Sequence, residues 1–335
     1  MLQIDKTILQ NFPEAAQFEW LETNGLGGWS GSSVTGAHTR RYHGLLVAAI
    51  LPPADRMVML SKLDETIVVD EKRFELSCNR YGGEVIHPGG HRFIGSFTKE
   101  LFPQWLYEAG GIQLRKTIAM LHGENTVLVI YDVVKAAASF NLELLPLMAS
   151  RGYHTLTHEG PQMHWDVNFD KGIFHNQPDG NLNVFISAPG STFQHTPRWF
   201  NNFTYSVEQY RGLDYTEDLF NHGTFSVSLK MGDSIGIIIS TESPAGKNAH
   251  ELFAKESARR QSLFNKLPDD EILQQLVLAA DQFIVKRDEH LKTVIAGYHW
   301  FTDWGRDTMI SLPGLTLSTR RFEDAKKYWL LLPKV

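Results

Sequence analysis

The sequence predicts a mainly β amino-terminal domain, an antiparallel β-sandwich, followed by a helical linker and the opening of an α-helical domain. Two observations carry this. Apolar residues recur with a period of two as far as about residue 244 and with a period near 3.6 beyond it. Turn signals cut the first part into short runs with no helical periodicity between them, which argues against a βαβ fold. The 335 residues leave room for two domains at about 150 residues each. With 42% hydrophobic and 21% charged residues, the chain suits a protein with a real core.

The strands come first. Ile112, Leu114, Ile118 and Met120 alternate with polar neighbours, as do Phe140, Leu142 and Leu144, and Phe225, Val227, Leu229 and Met231. Thr126 to Val134 is β-rich and almost wholly apolar, the pattern of a strand buried on both faces. Gly110-Gly111, the run His122 to Asn125, the run Pro178 to Asn181 and Met231 to Asp233 mark turns. Residues 1–244 thus read as the sandwich. Residues 245–267 read as the linker, with Ala249, Leu252, Phe253, Leu263, Phe264 and Leu267 on one helical face until Pro268 breaks it. Residues 268–335 open with Asp269-Asp270-Glu271, acidic groups where a helix N-terminus favours them. Ile272, Leu273, Leu276, Val277, Ala280, Phe283 and Ile284 then form a wide stripe expected to seat on the sandwich. Further helices are expected near Arg306 and Phe322.

Several function classes drop out. A net charge of −6 offers no electrostatic pull towards nucleic acid or anionic lipid. The single cysteine, Cys78, allows no internal disulfide and no cysteine zinc site, and fits a reducing compartment, so a cytoplasmic location is expected. The N-terminus lacks the basic and apolar regions of a signal peptide. The aliphatic run Leu45 to Leu51 stops at Pro52-Pro53, too short to span a bilayer. His87 and His91 are four apart, but Pro88-Gly89-Gly90 between them prevents a helix, so no metal is expected there. No cofactor motif and no G-x-S-x-G elbow occurs.

Three segments carry chemistry. Thr23 to Gly36 holds five glycines and Asn24, either a structural loop or one that also touches a ligand. Arg40, Arg41, Tyr42 and His43 form a polar cluster at a strand entrance, open to internal ion pairing, a domain interface or substrate contact. Tyr298 to Pro313 sets Trp300, Phe301 and Trp304 beside Asp303, Arg306 and Asp307. An aromatic platform flanked by charged hydrogen-bonding groups suits a sugar, which has an apolar face and a hydroxyl rim. A capped helix N-terminus over buried tryptophans would look the same. Asp303 and Asp307 do not fit a glycosidase pair: one helical turn puts them about 5–6 Å apart on one face, whereas inversion needs carboxyls about 6.5–9.5 Å apart across the sugar.

The run from Phe18 to Ala49, with Ser61 to Glu65, His122 to Val129 and Arg198 to Phe220, resembles the N-terminal domain of bacterial and archaeal glycogen-debranching enzymes of the amylo-α-1,6-glucosidase type. Trp300 to Leu317 is similar to the opening of that family's (α/α)₆ barrel. The resemblance implies hydrolysis of α-1,6-linked glucose at glycogen branch stubs by an inverting glycoside hydrolase. Glycogen, limit dextrin and maltooligosaccharide are the implied ligands. It further implies that Trp304-Gly305-Arg306-Asp307, with Trp300 and Asp303 nearby, holds the non-reducing glucose, Arg306 and Asp307 binding hydroxyls rather than moving protons.

The sequence departs from the family at Gly152, where an acidic residue is expected, and at LLLPKV, where the family continues through most of the barrel. Twelve helices of about 11–12 residues need about 130 residues before any loop, and only 67 follow Pro268. The expectation is therefore a barrel only begun, with the general acid and base beyond residue 335 or on another chain, and a chain inactive alone. A non-catalytic α-glucan-binding sandwich is the alternative.

Overall fold

The structure, a computed structural model, describes residues 2–178, 180–265 and 267–329. Up to Ser240 it consists mainly of two antiparallel sheets closed on a shared apolar layer. In spatial order the first sheet runs Leu2–Asp5, Ile94–Lys99, Pro103–Ala109, Ile112–Met120, Thr126–Lys135, Ser234–Ser240, Val184–Ser187, Ile173–Asn176 and Asn168–Asp170. The second runs Glu19–Thr23, Trp29–Ser33, Gly44–Leu51, Ala54–Val69, Phe140–Gly152, Thr216–Leu229, Thr192–Thr204, Cys78–Tyr81 and Val85–Gly89. Lys72–Glu75 also pairs with Ala54–Val69.

The alternation in the sequence is what the sheets bury. Ile112, Leu114, Ile118 and Met120 meet Phe140, Leu142 and Leu144 across the shared layer. Gly110 and Gly111, with φ of 58° and 79°, close the hairpin that pairs Ala109 with Ile112. Positive φ at both turn residues matches the right-handed twist of the flanking strands. Of the turn expected over residues 178–181, Asp179 lies outside the described residues. Thr126–Lys135 is buried on both faces as far as Tyr131, while Val134, expected to be buried, is 42% exposed. Val127, Val129, Tyr131 and Val133 enter the shared layer. Leu128 and Ile130 face the other way, into a cluster with Leu121, Ile238 and Ala249 against which Leu252 and Phe253 pack.

That outer cluster is covered by the linker helix, Ala249–Ser262, whose first turn is capped by the Asn248 side chain accepting from the amides of His250 and Glu251. The expected continuation to Leu267 does not form: the helix ends at Ser262. Beyond it the chain tightens into i→i−3 turns, with Leu263 N donating to Arg260 O and Phe264 N to Gln261 O. Lys266 lies outside the described residues.

The next helix, Glu271–Phe283, is capped by Asp270, whose carboxylate accepts from Leu273 N at 2.8 Å. Its apolar stripe does not seat on the sandwich as expected. Ile272 and Leu276 are 73% and 61% exposed. The polar side makes the contact instead: Gln275 Nε2 donates to Glu100 O, and Gln282 Nε2 to Leu21 O. Ile284 joins Val294, Leu312, Ala325 and Tyr328 in a small separate core.

After the hairpin of Ile284–Lys286 and Lys292–Val294 come the helices Gly305–Leu312 and Phe322–Trp329, close to where the sequence places them. Between them Pro313–Leu317 forms a widened π-type turn, where Pro313 supplies no N–H to the helical ladder. The segment LLLPKV, on which the reading of an interrupted barrel rests, lies outside the described residues. Among the described residues no helix is long and apolar enough to cross a membrane.

Candidate functional site

The outer face of the second sheet holds the junction between the two parts of the chain. Trp29, Tyr42, Val47, Val58 and Leu219 form an apolar cluster there, and Tyr298 and Trp300 pack against it. At its centre Arg56 is 1% exposed. Its guanidinium lies 5.2 Å from the Trp29 ring, 5.5 Å from Tyr153 and 5.8 Å from Tyr298, and Nη1 donates to Phe301 O at 2.7 Å. A buried cation among three ring faces clamps the 298–301 segment to the sandwich. Burial pulls the Arg56 pKa down from its usual value, opposed by Tyr298 and Tyr153.

Beside this clamp lies a histidine pair. His43 on the sandwich and His299 on the docked segment have ring centroids 5.5 Å apart. His43 Nδ1 accepts from Thr39 N, and its Nε2 is 3.5 Å from Glu19 Oε1. Burial, seconded by His43, drops His299 to about 3, so its imidazole is neutral at ordinary pH. For Glu19 burial works upward, but His43 and Arg40 outweigh it and hold the carboxyl at about 2. Arg40 Nε donates to Glu19 at 2.7 Å while its guanidinium lies 5.7 Å from the Trp300 ring. Arg41 donates to the carbonyls of His154 and Asp214, and Tyr42 OH pairs with His154 Nδ1. The structure thus sets Arg40 and Tyr42 against Trp300, His43 against His299, and Arg41 against the carbonyls of His154 and Asp214.

Asn24 is buried, with its hydrogen bonds internal. Its Oδ1 accepts from Leu26 N and Gly28 N, and its Nδ2 donates to Glu124 O and Asn125 Oδ1. The glycine loop is tied to the His122–Asn125 turn this way. Gly25 needs its positive φ of 67°, and a Cβ there would run into the His122 ring. Its carbonyl accepts from Lys286 N, so this loop also touches the second part of the chain.

The residues expected to hold sugar separate into two groups. Trp300 is half-buried, with Arg211 5.6 Å from its ring as well as Arg40. Asp303 accepts two bonds from Arg287, at 2.8 and 2.7 Å, and one from Thr293 Oγ1. Both are occupied by protein groups. Trp304, Arg306 and Asp307 stand open at the start of the Gly305–Leu312 helix: Trp304 is 61% exposed, the Arg306 side chain 85% and the Asp307 side chain 43%. Arg306 Nε and Asp307 Oδ2 are 3.9 Å apart, and the exposed Trp304 precedes them at the N-cap position. A flat ring, a guanidinium and a carboxylate, all exposed at one helix start, can take a hydroxylated ring. Among the described residues no group of three or more His, Cys, Asp or Glu could hold a metal ion.

What the sequence did not reveal is a chain of charges that joins the two parts of the molecule. Lys99 lies beside Glu22, Glu22 pairs with Arg260, and Arg260 with Glu256. Glu256 pairs with Arg259, Arg259 with Asp281, Asp281 with Arg321, and Arg321 with Asp324, which also meets Lys292. It links the sandwich, the linker helix and the helices at both ends of the second part.

The family described as Glycogen debranching enzyme N terminal matches residues 19–236, and that described as Amylo-alpha-1,6-glucosidase matches residues 278–332. Among solved structures, a bacterial glucoamylase complexed with acarbose is similar over 93% of this chain and 49% of its own, with a TM-score of 0.53 at 9% identity. The chain therefore spans about half the length of that glucoamylase. The likeness gives the fold type, an antiparallel sandwich followed by the first helices of an (α/α)₆ barrel. A heparan sulfate lyase mutant from Pedobacter heparinus is similar over 52% of this chain and 23% of its own, at a TM-score of 0.30 and 12% identity. No curated protein matches the chain significantly.

Proposed function

Because this chain belongs to the glycogen debranching enzyme family, a family of glycoside hydrolases, we propose that it serves the inverting hydrolysis of α-1,6-linked glucose at glycogen branch stubs. Its own share is to hold the non-reducing glucose. The observation that supports this is the open group at the start of the Gly305–Leu312 helix, where, among the described residues, the exposed side chains of Trp304, Arg306 and Asp307 lack the partners that occupy Trp300 and Asp303. The indole stacks on the sugar face. Arg306 donates to ring hydroxyls and Asp307 accepts from them. The docked segment Tyr298–Phe301 fixes where that helix starts relative to the sandwich.

The general acid and base belong to barrel segments other than the three helices described here, on this or another chain. The 335 residues by themselves then bind α-glucan weakly and do not turn it over. Incubation with phosphorylase limit dextrin is expected to release no glucose, and Arg306→Ala is expected to weaken maltooligosaccharide binding at the start of the Gly305–Leu312 helix about tenfold or more. Glucose release by the isolated chain would overturn the assignment of the chemistry to other segments. Unchanged affinity in the variant would move the sugar to the sandwich.

A further inference from the structure

A second concave surface lies on the sandwich, lined by none of Trp304, Arg306 and Asp307. It is a groove of about 720 Å³, within the ~300–1,000 Å³ of small-molecule sites. Phe12, Pro13 and Ile86 supply apolar walls, and Gln17, Arg40 and Arg80 supply hydrogen-bonding groups. Arg40 donates to Glu19 through Nε, and its two terminal nitrogens have no hydrogen-bond partner among the described residues. Arg80 Nη2 donates to Glu84 at 3.1 Å, but the Glu84 side chain is 85% exposed, a pair that water or a ligand hydroxyl can separate.

The electrostatics narrow the ligand. Arg40 and Arg80 are balanced by Glu19 and Glu84, all four lining the groove. A site with both signs and no excess of either favours a neutral ligand rich in donors and acceptors over an anion. Apolar walls with charged hydrogen-bonding groups beside them fit the alternating C–H faces and hydroxyl rims of a sugar chain. The groove is also continuous with the domain junction, since the guanidinium of Arg40 borders it and lies 5.7 Å from the Trp300 ring.

We propose that this groove is an outer α-glucan site, which takes a short run of glucosyl units of a linear α-1,4 chain and holds the polymer beside the Trp304-Arg306-Asp307 group. The ligand class rests on the reading given under Proposed function; the location does not. Backbone-amide NMR of the ¹⁵N-labelled full chain with maltoheptaose, with glucose as the short control, tests it. Maltoheptaose is expected to shift the amides of Gln17, Thr39 and Val207 saturably. Those shifts are expected to persist in Arg306→Ala and to require roughly tenfold or more ligand in Ala16→Trp, which fills the groove. Arg80→Ala, expected to weaken the same shifts, serves if the tryptophan variant does not fold. Shifts confined to residues 304–308 would overturn the groove and leave the proposed function standing. Shifts in the groove with none at 304–308 would support the groove and overturn the glucose subsite. No shift at either place would overturn both.

Discussion

Glu217→Ala is expected to cost about 3–5 kcal/mol of folding stability, the usual penalty for breaking a buried ion pair from one side. Glu217 is fully buried in Thr216–Leu229, and its carboxylate takes the Arg151 guanidinium through Nε and Nη2, the Tyr205 hydroxyl and the Thr157 amide. Arg151 is 5% exposed and also donates to Arg41 O. Removing the carboxylate strands a cation, a phenol and an amide without water to replace it. Chemical denaturation followed by far-UV circular dichroism measures the loss. A change below about 1 kcal/mol would mean that the cation finds water or another partner. The acidic partner here is Glu217, and the backbone at Gly152, where the family resemblance implied an acidic side chain, accepts from Arg151 Nη1 instead.

Asp281→Asn is expected to loosen the second part of the chain from the linker helix. Asp281 is buried and joins Arg259 to Arg321, elements separated by 62 positions in sequence. Each hydrogen bond to a charged group contributes about 1.5–3 kcal/mol. Burial alone would raise this carboxyl, but Arg259 and Arg321 override it and hold it at about 2. Since that lies below the ordinary aspartate value near 4, the stabilisation is complete above about pH 4 and is lost as pH falls towards 2, on the order of 2 kcal/mol in all. Glu19, also held at about 2, loses its contribution in the same window. Unfolding measured from pH 7 to pH 2 should therefore show the gap between wild type and Asp281→Asn shrinking below pH 4. A gap that stays constant would mean that Asp281 is not ionised in the folded chain. At neutral pH, hydrogen exchange in Phe322–Trp329 should accelerate in the variant while that in Ile112–Met120 does not change.

Both of these residues lie where the sequence is least legible. Strands such as Ile112–Met120 and helices such as Glu271–Phe283 show in the local period because their burial repeats along the chain. The Trp304-Gly305-Arg306-Asp307 group is legible as a cluster because its members are consecutive. Long-range polar contacts leave no such trace: Arg260 and Glu22 are 238 positions apart, and Arg56 reaches Phe301 across 245. The stripe from Ile272 to Ile284 shows the opposite failure. Its period correctly marks a helix, but period alone does not say which surface the apolar side meets. Glutamines from the same helix take the sandwich contact, and Ile272 and Leu276 remain open. The cluster Arg40 to His43 sits between these cases: its position at a strand entrance is plain, while its partners His154, Asp214 and Glu19 are fixed only by the folded sheet.

The most direct test of the proposed role is to see where a bound sugar sits. A crystal of the 335-residue chain soaked in maltose is expected to place a glucosyl ring over the Trp304 indole, with hydroxyls bonded to both Arg306 and Asp307. Sugar density found elsewhere on the chain, with those three side chains bare at saturating maltose, would contradict it.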